Sequence, residues 1–95
     1  MVKVKQAFLD KGRVFFSHQA EATAKVFVVG SFNDWDPEAD PMVYNPTTKC
    51  FTKELKLKRG EYEYKFVVDG TWTMDNDNPR FTANDFGTLN SIFEI

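Results

Sequence analysis

Cysteine and histidine each occur once in these 95 residues, as Cys50 and His18. A single thiol cannot close an internal disulfide, so nothing in the chain signals an oxidising compartment, and Cys50 is expected to be a buried or half-buried structural thiol. A lone histidine leaves a multi-histidine zinc site or a Ser-His-Asp arrangement resting on one residue with no nucleophile motif beside it; His18 is expected to be an ordinary strand residue. The sequence has no glycine-rich phosphate loop, no internal repeat and no low-complexity segment. No stretch approaches the length needed to span a bilayer, and the opening MVKVKQAFLDKGR has no unbroken apolar run of the kind a secretory leader carries, so the expectation is a cytoplasmic protein. An excess of one charge is also missing. With 12 basic and 14 acidic residues the formal charge is −2, which exerts no pull on phosphate and argues against nucleic acid or anionic membrane as partners. A neutral partner is easier to accommodate, and no cofactor is indicated.

Helical periodicity is lacking too: no window keeps apolar residues at i, i+3, i+4 and i+7. What the chain has instead is ten phenylalanines, two tryptophans and three tyrosines, residue types that favour strands. RVFFSH (13–18), AKVFVVG (24–30), MVY (42–44), FTKELKL (51–57), EYEYKFVV (61–68), TWTM (71–74) and LNSIFEI (89–95) read as strands. The second is apolar on both faces and is expected to be central. Turn signals at NPTT (45–48), KRG (58–60) and DG (69–70) separate several of them. Short strands without crossover helices predict an all-β, immunoglobulin-like antiparallel β-sandwich, and the length predicts one domain over 1–95.

The segment EYEYKFVVDGTWTM allows a sharper inference, because Asp-Gly between two β-rich runs specifies a two-residue hairpin turn and so fixes the register. Val68 is predicted opposite Thr71, Val67 opposite Trp72, Phe66 opposite Thr73 and Lys65 opposite Met74. Alternation then puts Tyr62, Tyr64, Phe66 and Val68 on a core face, and Glu61, Glu63, Lys65, Val67, Trp72 and Met74 on a wetter one. Trp72 is thereby committed to the charged face, where its ordinary role would be to cover Val67 and Met74. Trp35, in GSFNDWDP (30–37), lies in a turn-like loop with no apolar neighbour and could fold inward as a lid on the core. The alternative is that both rings form a flat platform for a ligand with an apolar face and a polar edge. A pyranose has that shape, and Lys65 is placed to donate to its hydroxyls.

Enzyme chemistry finds little support. A glycosidase holds two carboxylates across a scissile bond in a cleft, whereas Asp34, Asp36, Asp75, Asp77 and Asp85 lie in predicted loops, where Asp is an ordinary turn former. DNDNP (75–79) lacks the glycine and the downstream glutamate of an EF-hand loop. The basic KLKRG (56–60) reads as a solvated hairpin tip.

VFVVGSFNDWDP, LKLKRGEYEYKFVVDGTWTMDNDNP and FGTLNSIFEI, in this order and spacing from about residue 25 to residue 95, resemble the glycogen-binding carbohydrate-binding modules of family 48. Such modules are found in the β subunit of the AMP-activated protein kinase and in amylolytic enzymes. The resemblance implies non-catalytic binding of α-1,4-linked glucans such as glycogen, starch or maltooligosaccharides. It puts the stacking tryptophans on Trp35 and Trp72, the sugar-bonding lysine on Lys65 and the sugar-bonding asparagine on Asn90. Thr88 is a further candidate for bonding hydroxyls. Phe86 stands where kinase-type members commonly carry leucine. Asn90 alternates away from Leu89, Ser91 and Phe93, although apolarity alone does not say which side of that strand is core. The second functional expectation is a protein-interaction module that docks a kinase, a phosphatase or an amylolytic enzyme.

Overall fold

A computed structural model of the chain describes residues 2–5 and 11–95. The described residues form nine strands and no α-helix: β1 (Val2–Lys5), β2 (Lys11–Gln19), β3 (Val26–Gly30), β4 (Val43–Asn45), β5 (Cys50–Lys58), β6 (Glu61–Val68), β7 (Thr71–Thr73), β8 (Phe81–Ala83) and β9 (Leu89–Glu94). A single 3₁₀ turn, Ser31–Asn33, follows β3. One sheet runs in the order β1-β2-β5-β4 and the other β3-β6-β9-β8, with β7 also pairing to β6; every pairing is antiparallel. The domain predicted over 1–95 includes Met1 and residues 6–10, which lie outside the described residues.

The two sheets bury one cluster between them: Val14 and Phe16 from β2, Val26 and Val28 from β3, Met42, Phe51 from β5, Tyr64 and Phe66 from β6, and Phe93 from β9. The alternation of β6 supplies its share as expected, with Tyr64 and Phe66 fully buried and Tyr62 and Val68 packed at the margin. Phe16 meets Phe32, Tyr64 and Phe93 at ring-centroid distances of 5.5, 5.4 and 5.7 Å. This is the spacing at which aromatic pairs gain beyond their buried area. On β9 it is Ser91 and Phe93 that face inward, both buried. Asn90 and Ile92 therefore belong to the other face. His18 stacks on Phe66 at 4.5 Å between the sheets, and burial lowers the pKa of its imidazole from the ordinary value. Cys50 is a half-buried free thiol at the start of β5.

Three strand expectations need correction. Strand β3 is not central: it ends its sheet, and its free edge is covered by the 40–42 segment through Val28 N–H to Asp40 O and Met42 N–H to Val26 O. Its apolarity on both faces has another cause. Val29 is buried on the outer face opposite Lys65, as Val67 is opposite Trp72, and both lie outside the inter-sheet cluster. Strand β4 begins one residue later than expected because the Met42 N–H is bonded to Val26 O of β3, in the other sheet. Strand β7 stops at Thr73, so Lys65 and Met74 do not pair. Strand β8 carries no clear alternation and was not anticipated.

The loop after β7 is organised around a buried carboxylate. Tyr64 Oη donates to Asp75 Oδ2 at 2.6 Å, Ser91 Oγ accepts from Asp75 N at 3.1 Å, and Asp75 Oδ1 accepts from Asp77 N at 3.1 Å. Asn78 Nδ2 closes the arrangement by donating to Tyr64 Oη and to Ile92 O. Burial, reinforced by the Asp75 carboxylate, pushes the Tyr64 phenol above its ordinary range. In Tyr64→Phe the buried carboxylate loses its phenol donor, a loss of about 1–3 kcal/mol. Thermal unfolding should register this as a clearly lower Tm; an unchanged Tm would show that the phenol contributes nothing net.

Candidate functional site

The outer face of the β3-β6-β9 sheet carries an open depression of about 720 Å³. All six nominated residues, Trp35, Lys65, Trp72, Phe86, Thr88 and Asn90, line it. Glu63, Ala83, Asn84 and Asp85, which sequence reasoning did not nominate as binding residues, complete the lining. Three separate stretches of chain therefore meet here: the loop after β3, the β6–β7 hairpin, and the β8–β9 connection.

The hairpin sets Lys65 and Trp72. Asp69 and Gly70 both have positive φ, 49° and 83°, the pattern of a two-residue turn whose twist matches the flanking strands. The resulting register pairs Val67 with Trp72, Phe66 with Thr73 and Val68 with Thr71. Trp72 is the cross-strand partner of Val67, which is buried, while Trp72 itself stays 47% exposed. It keeps a large apolar surface in water.

Trp35 is held by a different device. Two aromatics occur within four residues of the loop, and it is Phe32 that enters the core, against Phe16, Tyr62 and Phe93. With Phe32 as the inward anchor, the chain must turn sharply, and Asp34 and Trp35 both take left-handed backbone at φ 57° and 58°. For a bulky residue this is an uncommon conformation that costs about 1–3 kcal/mol. Asn33 sustains it: its Oδ1 accepts from Gly30 N at 3.0 Å, and its Nδ2 donates to Val28 O at 3.1 Å and Asp40 Oδ2 at 2.8 Å. Trp35 N–H closes the turn onto Gly30 O at 3.0 Å. Asp36 accepts from Glu38 N, which is turn chemistry rather than catalysis.

The third stretch presents Phe86, 91% exposed at the tip of the β8–β9 connection. Below it the polar groups are bonded to one another. Lys65 Nζ donates to Thr88 Oγ1 at 2.9 Å, and Asn90 Nδ2 donates to Glu63 Oε1 at 3.0 Å. Asn90 is only 5% exposed, so the most buried member of the set is already oriented by a carboxylate before any ligand arrives.

Among the described residues no group of three His, Cys, Asp or Glu side chains is placed to hold a metal ion. Exposed aromatic rings beside a small polar network on the face of a sheet are features of a binding surface. Residues 13–95 match the family described as the glycogen recognition site of AMP-activated protein kinase, and the chain belongs to that family. It is 36% identical over 76 residues to the 5'-AMP-activated protein kinase subunit beta-2 of Mus musculus, covering 80% of this chain and 27% of that protein. To the subunit beta-1 of Sus scrofa it is 38% identical over 71 residues, covering 75% of this chain and 54% of that protein. The chain thus spans about a quarter to about half the length of these relatives.

Proposed function

We infer that residues 1–95 form one immunoglobulin-like module that binds α-1,4-linked glucans without acting on them, in a targeting or regulatory role. Glucose units stack on Trp35 and Trp72, Phe86 adds an apolar contact at the rim, and Lys65, Thr88 and Asn90 bond hydroxyls. The observation that carries this reading is the common depression, lined by both tryptophans and by a polar network in which charges of both signs, Lys65 and Glu63, are already bonded to Thr88 and Asn90. Such a lining suits a ligand with an apolar face and a polar edge better than an anion or a peptide strand. If each stack contributes ~1–3 kcal/mol, the range for a base on an aromatic side chain, affinity after association costs falls at about micromolar to millimolar. Weak binding serves a polymer that offers many sites.

The chain's two tryptophans both line the depression, so fluorescence excited selectively at tryptophan reports on the proposed site. Titration with maltoheptaose should give a saturable change. Because the ligand is neutral, the affinity should be nearly the same at low and high salt. A steep salt dependence, or no change at millimolar ligand, would count against the reading.

A second reading, docking onto a protein kinase, is favoured by the kinase-subunit identity of the relatives; a phosphatase or an amylolytic enzyme is a partner of the same kind. Competition separates the two: a partner that stays bound under saturating maltoheptaose uses another surface.

A further inference from the structure

Asn84 makes more hydrogen bonds in the depression than any of the nominated residues, and it was not among them. Its Oδ1 accepts from Phe86 N at 3.0 Å and from Thr88 N at 3.1 Å. Its Nδ2 donates to Thr88 Oγ1 at 2.7 Å and to Asn90 Oδ1 at 2.9 Å. A carboxamide has two donors and two acceptor sites. All four are used.

The direction of these bonds is fixed by chemistry from the far end. The Glu63 carboxylate can only accept, so the Asn90 group facing it must be the amide nitrogen and the group facing Asn84 must be the carbonyl. Asn84 must then offer its nitrogen to Asn90, which leaves its oxygen for the two backbone N–H groups of the loop. Thr88 Oγ1 receives from both Asn84 and Lys65, and a hydroxyl has two acceptor sites. Its remaining capacity is its proton, which is available to the depression.

We propose that Asn84 is a positioning residue of this site: it shapes the Phe86 loop through its oxygen and, through its nitrogen, makes the Thr88 hydroxyl a donor toward the ligand. The proposal rests on the glucan reading above and refines it, since Thr88 then recognises a ligand oxygen as acceptor, such as a glucose hydroxyl or a glycosidic oxygen.

Asn84→Asp separates the two roles. The aspartate keeps an acceptor for Phe86 and Thr88 N–H, but its other oxygen faces Thr88 Oγ1 and Asn90 Oδ1. The Thr88 hydroxyl must turn inward to satisfy it, and the proton is withdrawn from the ligand. The tests are amide exchange by NMR, thermal unfolding and calorimetric titration with maltoheptaose. In N84D the Phe86 and Thr88 amides should remain protected and the Tm should fall modestly, because the new oxygen faces Asn90 Oδ1, while affinity falls about tenfold. In Asn84→Ala both the protection and the affinity should be lost. Thr88→Ser should bind like wild type. In a Thr88→Val background N84D should have a clearly smaller further effect, because the hydroxyl is gone and only the disturbance at Asn90 remains. Wild-type affinity in N84D, or equal losses from N84D with and without the Thr88 hydroxyl, would overturn the proposal while leaving the glucan reading intact. Failure of the wild-type protein to bind maltoheptaose would overturn both.

Discussion

Trp72→Ala should abolish measurable retention on glycogen while leaving a folded protein. Trp72 is 47% exposed on a three-residue strand, so only about half of its surface is withdrawn from water. Truncation should therefore cost stability only about 1–2 kcal/mol, well inside the 5–15 kcal/mol typical of a domain. Loss of one stacking surface removes ~1–3 kcal/mol of binding, which from a micromolar-to-millimolar starting point pushes the interaction out of reach of most assays. Trp35→Gly sharpens the comparison. It removes the second ring and at the same time relieves the left-handed strain at φ 58°, so it should lose glucan with less damage to the fold than its half-buried position suggests. Thermal unfolding beside maltoheptaose titration decides the matter. Retained affinity in both variants would mean that the two rings serve the sheet surface and not a ligand.

The hairpin was legible because its information is local. Asp69-Gly70 dictates a turn, the turn dictates the register, and the register commits Trp72 and Lys65 to one face without reference to the rest of the chain. The layer arrangement was legible for the same reason, since alternation in β5 and β6 names the buried side of each. Choices made at long range were not. Whether Phe32 or Trp35 turns inward is decided by rings on β2, β6 and β9, which no inspection of GSFNDWDP reveals. The place of β3 is another such case. A strand apolar on both faces suggests the middle of a sheet, but Val29 is buried by an outer surface that other parts of the chain complete.

Within the site, Trp35, Trp72 and Lys65 were nominated from loop composition, hairpin register and the shape of a sugar, whereas Asn90, Phe86 and Thr88 entered with the family resemblance. Glu63 and Asn84 were missed because their side chains serve other lining residues: Glu63 Oε1 accepts from Asn90, and the Asn84 carboxamide bonds Phe86, Thr88 and Asn90. Asn84 did leave a local signal: in NDFG its side chain can accept from the N–H two residues on, an Asx turn, and it does so with Phe86 N. Its bonds to Thr88 and Asn90 are equally short in sequence, four and six residues away. A reading of polar residues as possible supports for their neighbours, and not only as ligands or turn formers, would have reached it.

Gly30→Ala should be the most destabilising of these substitutions, and it should weaken the site as well. The backbone at Gly30 is fully extended, a conformation open to any residue, so its φ does not demand glycine. Space does. A methyl group there would overlap the backbone carbonyl oxygen of Glu63 and the ring of Phe32. The carbonyl belongs to β6, the strand that pairs with β3, β7 and β9, and cannot yield without disturbing those pairings. Overpacking against backbone places the cost at the upper end of its usual range, on the order of 3 kcal/mol, which in a domain of this size lowers Tm by roughly 12–24 °C. Gly87→Ala is the informative control, because no atom lies within 4 Å of its added methyl and the penalty is confined to its φ of 78°. A Gly30→Ala protein melting near wild type would show that β3 can shift away from β6 at little cost. If it shifts, Gly30 carries the movement straight to the depression: its N–H is bonded by Asn33 and its carbonyl by Trp35 N–H, so displacing it loosens the turn that places Trp35 in the lining.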